Sequence, residues 1–284
     1  MTDVTDVTDV TDLTATALDA LVPSTVYAAP RRVRGARWSK RVSPEPYPIW
    51  MTVSELSDGG TIEWDGDHGD DGVYVMSGAL DVDALPSREV ARCPADGAVI
   101  VESGIACTAR AVGVTTVVHC GARSAEPPSN GLYGAPDAIG HGVHVIGERG
   151  WFASGDRERV AVRWFADSTC PTCRIALFHV VRSEGGVRDR SHAHTQDELI
   201  FVLGGSVEVG GVEHRPGTCL AVPALTRYSL TSGDDGFAVL NYRRDVSVQA
   251  YRPGEPEELE GALARGGAAV NDFRWPIEGG TVSC

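Results

Sequence analysis

Nine short runs of β-branched, aliphatic and aromatic residues follow one another from about residue 45 onward, and they limit what this chain can fold into. They read YPIWMTVSEL, GVYVMSGALDV, AVIVES, ARAVGVTTVVHC, RVAVRWFA, RIALFHVV, ELIFVLGGSVEV, TCLAVPA and GFAVLNYR. Gly, Pro, Asp and Asn, residues that turn the chain, break the runs apart. Their spacing fits an all-β sandwich or barrel. One short helix is predicted, over EPEELEGALARGG near the C-terminus, with Pro256 in its first turn and a glycine stop.

Composition narrows the function. A chain of 284 residues makes one large domain or two small ones, and 42% hydrophobic content supplies a core. The net charge of −14 argues against nucleic acid as a partner, because phosphates must be met by Lys and Arg. No apolar run approaches the roughly 20 residues that a bilayer requires. The first residues, MTDVTDVTDVTDLTATALDA, lack a basic region followed by an apolar one, so no secretory signal is read there and a cytoplasmic location is expected. Seven cysteines, an odd and scattered set, are expected to be mostly free thiols. Cys170-Pro-Thr-Cys173 is read as a structural turn, with redox or zinc chemistry as its alternative. Residues 1–12 repeat Thr-Asp-Val and are expected to be disordered. The basic cluster Pro30–Val42 is either an arm for an acidic ligand or a segment lying on the protein's own acidic surface or a second subunit.

The chain also resembles itself. Ile175–His194 lies over Ile49–His68 at an offset of 126 residues without a gap, and Gly204 falls on Gly78 at the same offset. Further on, Val222 matches Val101 and AVLNYR loosely matches TVVHCGAR, which points to two copies of one β unit.

One polar constellation stands out in RSHAHTQDELIFVLGG. His192, His194 and Glu198 share the parity of one strand face. Two imidazoles and a carboxylate on one face make a divalent-metal set with open positions for substrate or dioxygen. An ordinary strand with a polar start is the alternative. The stretch is similar to the first motif of the cupin superfamily: His-x-His, three or four residues, Glu, six residues, Gly. Here five residues separate Glu198 from Gly204, one short of that form. The second cupin motif, Gly, five residues, Pro-x-Gly, two residues, His, is matched at Pro223, but Leu225 stands for its glycine and Tyr228 for its histidine.

The resemblance covers roughly residues 159–245 well and 47–123 weakly. It implies two jelly-roll barrels: an arm (1–44), a degenerate barrel (45–125), a connector (126–158), a metal-binding barrel (159–247) and a C-terminal extension (248–284). It implies one divalent ion held by His192, His194 and Glu198, with His179 or Tyr228 as the fourth group, and Glu198 and Tyr228 as catalytic residues. Fe(II) and oxygenation of a small polar metabolite are the favoured reading, with Zn, Mn or Ni also accepted by the set. An isomerase, lyase or decarboxylase, or a non-catalytic ligand-binding protein, is the alternative. Arg227 or Arg243 would orient a substrate carboxylate, although parity sets Arg227 opposite Tyr228. In the N-terminal copy the equivalent positions read Gly66, His68 and Gly72, with Cys107 where Tyr228 stands, so no metal is expected there. His141 and His144 are read as solvated or capping, and His119 and His214 as strand-end residues. A homodimer is the expected assembly.

Overall fold

The computed structural model describes residues 14–17, 31–65, 67–84, 90–122, 142–147, 151–153, 160–167, 174–245, 247–250 and 258–259, and every regular element among them is a strand. In chain order these are β1 (Thr14–Ala17), β2 (Arg31–Arg41), β3 (Ile49–Asp65), β4 (Asp71–Ala84), β5 (Val90–Pro94), β6 (Ala98–Val101), β7 (Ala106–Ala122), β8 (Val143–Ile146) and β9 (Trp151–Ala153). They continue with β10 (Val160–Asp167), β11 (Ala176–Arg182), β12 (Ala193–His194), β13 (Glu198–Val209), β14 (Val212–His214), β15 (Thr218–Val222), β16 (Thr231–Arg243), β17 (Val248–Ala250) and β18 (Glu258–Leu259).

Two large sheets have the same plan. The N-terminal sheet runs β2-β3-β7-β4-β6-β8 with β5 on β4, and the C-terminal sheet runs β9-β10-β11-β16-β13-β15-β1 with β14 on β13. Thus β3-β7-β4-β6 repeats as β11-β16-β13-β15. The ends are completed differently: β8 follows the N-terminal unit, whereas β1 precedes it in the chain and pairs with β15. A small third sheet holds β12, β17 and β18.

Strands such as β6, β15 and the first half of β13 are buried on both faces, which explains why their sequences are nearly continuous apolar runs rather than alternating ones. On β13, Ile200 and Val202 face an inner core with Leu220, Val222, Tyr228 and Val239. Leu199 and Phe201 face the other way, into a core shared with Ile49, Met51, Tyr74 and Val118 of the N-terminal sheet. The N-terminal sheet has its own inner core around Leu56, Trp64, Val73, Val75 and Val99. Each half therefore encloses an interior, and the outer faces of the two halves pack together. Burying an aliphatic side chain on either face stabilises the fold by about 1.5–3 kcal/mol.

Some expected features keep their reading in the structure and others change. The basic segment is the edge strand β2, and its arginines meet the chain's own acids: Arg34 with Glu63 at 3.1 Å and Arg37 with Glu55 at 2.9 Å. Gly204-Gly205 lies inside β13, which runs on through the pair with register shifts on either side, and the chain reverses at Gly210-Gly211. Of the segment predicted to be helical, Glu258 and Leu259 are described, and they pair with β17 as a strand because the tail adds to the small sheet. The rest of that segment, the 1–12 repeat, His141 and Cys170 and Cys173 lie outside the described residues. His144 is neither solvated nor capping: it lies on β8, buried, with Nε2 2.5 Å from Glu102 Oε1. Cys93, Cys107, Cys120 and Cys219 are buried free thiols, and burial pushes Cys93 and Cys107 up to about 12.

The repeat register also shifts. Among the glycines with positive φ, Gly59 matches Gly186 and Gly78 matches Gly205. Both pairs are 127 residues apart, and Asp71 and Glu198 open β4 and β13 at the same spacing. The offset of 126 holds on β3 and β11, where Met51 opposes Cys120 and Leu177 opposes Tyr242. Gly205 lies seven positions beyond Glu198, with six residues between them, so the glycine at the motif spacing is Gly205, the residue in the left-handed region, and not Gly204.

Candidate functional site

The C-terminal interior gathers its polar groups where three stretches of chain meet. His192 and Tyr228 are bridge partners whose backbones exchange two hydrogen bonds of 2.9 Å. The Leu225 N–H donates to the His194 carbonyl at 2.7 Å, and the Ala224 N–H to Asp197 Oδ1 at 2.9 Å. The turn carrying Tyr228 is thereby stitched to the stretch carrying both histidines. On the other side, Glu198 of β13 stands directly opposite Arg243 of β16. Strand parity puts Glu198 and Arg243 on the inner face with Ile200 and Val239.

The groups meet closely. Tyr228 Oη donates to Glu198 Oε2 at 2.5 Å, and Arg243 Nη2 donates to Glu198 Oε1 at 2.5 Å. Arg243 Nη2 and Tyr228 Oη each lie 3.1 Å from His194 Nε2. Guanidinium has donors only, so His194 Nε2 is the acceptor and the imidazole proton sits on Nδ1. His192 Nδ1 donates to the Arg190 carbonyl at 2.8 Å, and its ring lies edge-on to His194 at 4.8 Å between centroids. Arg243 also lies over the Phe178 ring at 5.2 Å. All five polar residues are buried, with His192 the most accessible at 8%. Asn241 lies on the same inner face of β16, two residues from Arg243, buried and with no hydrogen-bond partner for Oδ1 among the described residues.

His192, His194, Glu198 and Tyr228 thus lie together, and Arg243 joins them. His179 is not with them. Its odd-numbered parity with Leu177 turns it to the shared core, where its ring stands edge-on to Tyr74 at 5.9 Å, and burial lowers it to about 4. Arg227 donates to the Ser191 carbonyl at 3.4 Å and does not join the cluster.

The donor chemistry suits a divalent ion, but the place is filled. Arg243 takes the lone pair of His194 Nε2 and one oxygen of Glu198, both of which an ion needs. Among the described residues, no group of three or more His, Cys, Asp or Glu side chains is arranged to hold a metal. With Arg243 in position, the predicted set does not fit a metal ion.

The N-terminal interior holds a counterpart that sequence reasoning missed. Asp71, the equivalent of Glu198, accepts from Arg31 through Nε and, at 2.6 Å, Nη2, and from Trp64 Nε1 at 2.8 Å. His119 Nε2 lies 3.2 Å from Asp71 Oδ2. Burial would raise the Asp71 carboxyl, but the Arg31 guanidinium, with His119, holds it well below the carboxylate range. His68, the residue expected to match, is instead in a loop, with its ring nitrogens on the carbonyls of Gly69 (2.6 Å) and Ile105 (2.8 Å). Aligning Gly78 with Gly205 rather than Gly204 would have identified Asp71.

No protein-family model matches the chain, and no curated protein matches it. Solved structures do. An oxalate decarboxylase studied for its substrate binding mode and a reaction specificity switch superposes with a TM-score of 0.61 at 13% identity, covering 81% of this chain and 77% of that one. A variant of the Bacillus subtilis oxalate decarboxylase gives 0.59 at 13% identity with the same coverages. A structure concerned with the Mn(II) centres of that Bacillus subtilis enzyme gives 0.58, again at 13% identity and over 81% and 77% of the two chains. The likeness shows the cupin fold for this chain, and at such identity the fold alone.

Proposed function

We propose that this chain is a two-barrel cupin enzyme, with barrels near residues 45–125 and 159–247, that acts on a small carboxylate-bearing metabolite inside the C-terminal barrel. The chemistry is of the decarboxylase or lyase type. The observation that carries this reading is the buried constellation of Glu198, Arg243, His194 and Tyr228, beside the Asn241 amide oxygen, which has no hydrogen-bond partner among the described residues. The guanidinium fork matches a carboxylate, so Arg243 anchors the substrate by exchanging Glu198 for the incoming anion. Loss of carbon dioxide leaves a carbanion that needs a proton, and the Tyr228 hydroxyl, between Glu198 and His194, supplies it. The solved structures of like fold are decarboxylases by name, which supports this chemistry over Fe(II) oxygenation. A divalent ion on His192, His194 and Glu198, as the Mn(II) centres of the Bacillus subtilis enzyme invite, requires Arg243 to turn away, so no step here is assigned to one.

A second reading, a non-catalytic binder of small anions, is favoured by one observation: the cluster's groups satisfy one another and are nearly closed to solvent. One experiment separates the two. The full chain is incubated with a panel of small mono- and dicarboxylates while released carbon dioxide and melting temperature are followed. Turnover of a panel member, lost in Arg243→Ala, supports the enzyme. A melting shift without turnover supports the binder. Neither response to any carboxylate contradicts both.

A further inference from the structure

The two interiors solve one problem in the same way. Asp71 and Glu198 each open the equivalent strand, face inward, and stand seven positions before a positive-φ glycine. A carboxylate so buried needs a counter-charge. In the C-terminal half it comes from Arg243, directly opposite on β16. In the N-terminal half the residue opposite Asp71 on β7 is Gly121, and a Cβ there would overlap the Asp71 carboxylate and the Trp50 ring. That route is closed, and the cation arrives instead as Arg31 from the edge strand β2, lying over Trp50 at 5.0 Å. Different strands deliver the same chemical group to the same carboxylate.

We propose that arginine stands where a metal ion would otherwise sit in both halves, so that this is an arginine-centred, metal-free cupin: Arg243 is the resident cation of the C-terminal interior and Arg31 of the N-terminal one. The lone pairs are already committed. His194 Nε2 accepts from Arg243, Glu198 accepts from Arg243 and Tyr228, and Asp71 accepts from Arg31 and Trp64. Tyr228, at the motif position of a histidine, donates a hydrogen bond to the carboxylate in place of presenting an imidazole lone pair. Guanidinium stays charged at any pH the protein meets, so neither arginine yields its place by losing a proton.

Metal content and melting test this apart from any turnover, so its failure is distinct from failure of the proposed reaction. The full chain is equilibrated with Mn(II), and separately with Zn(II), then desalted, assayed for metal and melted with and without chelator. The expected result is far less than one ion per chain and an unchanged melting temperature. Arg243→Met, which frees His194 and Glu198, is expected to gain about one ion per chain and a metal-dependent rise in melting temperature, as for any ligand bound by the folded state alone. Wild-type protein that keeps one ion, lost in His194→Ala, overturns the proposal. So does folded Arg243→Met that takes up no ion. If that variant does not fold, the wild-type measurement decides.

Discussion

Glu198 and Arg243 stand directly opposite one another on paired strands, and the guanidinium reaches the carboxylate at 2.5 Å with both side chains almost wholly buried. A pair so enclosed is costly to break from one side, because the survivor is left as a lone buried charge. Arg243→Met and Glu198→Leu are each expected to lose about 3–5 kcal/mol in urea unfolding, and the double variant much less than the sum. Additive losses would show that the two do not act as a pair.

Tyr228→Phe removes one hydroxyl from the cluster while keeping the ring against His192, 4.7 Å away between centroids. If the hydroxyl delivers the proton, turnover falls by roughly 10²–10⁴-fold. The measurement is the rate of carbon dioxide release on whichever carboxylate the wild type consumes. An unchanged rate removes Tyr228 from the chemistry.

Leu225 has a φ of 65° and is 73% exposed, in the turn whose N–H binds the His194 carbonyl. A leucine in the left-handed region costs about 1–2 kcal/mol, and glycine is free of that cost but loses more entropy on folding. Leu225→Gly is therefore expected to stabilise by about 0.5–1 kcal/mol, read as a higher melting temperature. A lower one would mean that the leucine makes a compensating contact.

His179 gives the chain a defined acid response. Burial holds it neutral in the folded protein down to about 4, from an ordinary 6.5, with the Asp96 charge opposing the shift and the Arg163 charge adding to it. Its folded value lies below its unfolded one, so the unfolded chain takes up the proton first. Stability falls as the pH drops from about 6.5 to about 4, by on the order of 3 kcal/mol. His179→Phe should flatten that part of the curve in urea titrations across this range; a curve of unchanged slope would show that other groups cause the loss.

Much of this was legible in the residues. Short apolar runs with turn residues between them are strands, and the spacing of His192, His194 and Glu198 marks them as a group, but one strand face does not carry them: the histidines lie on or beside β12 in the small sheet, and a bend separates β12 from Glu198 at the start of β13. Proline at 223 marks the turn that carries Tyr228. The misreadings have physical causes. A glycine pair looks like a turn, yet Gly204-Gly205 absorbs a register shift inside a strand, and that single residue moved the repeat off Asp71. His179 looks like its neighbours in composition, but one residue of parity sends it to the opposite face. The pairing of Glu198 with Arg243, and of Asp71 with Arg31, depends on which strands lie side by side. No local pattern encodes that neighbourhood, and with it the difference between a cradle for an ion and one filled by an arginine.

The measurement that meets the central claim most directly is diffraction from crystals of the full chain soaked in Mn(II), with anomalous data collected. The account predicts no anomalous peak among His192, His194 and Glu198, and a guanidinium from Arg243 in contact with both His194 and Glu198. A strong peak within bonding distance of those three side chains, with Arg243 turned aside, would contradict it.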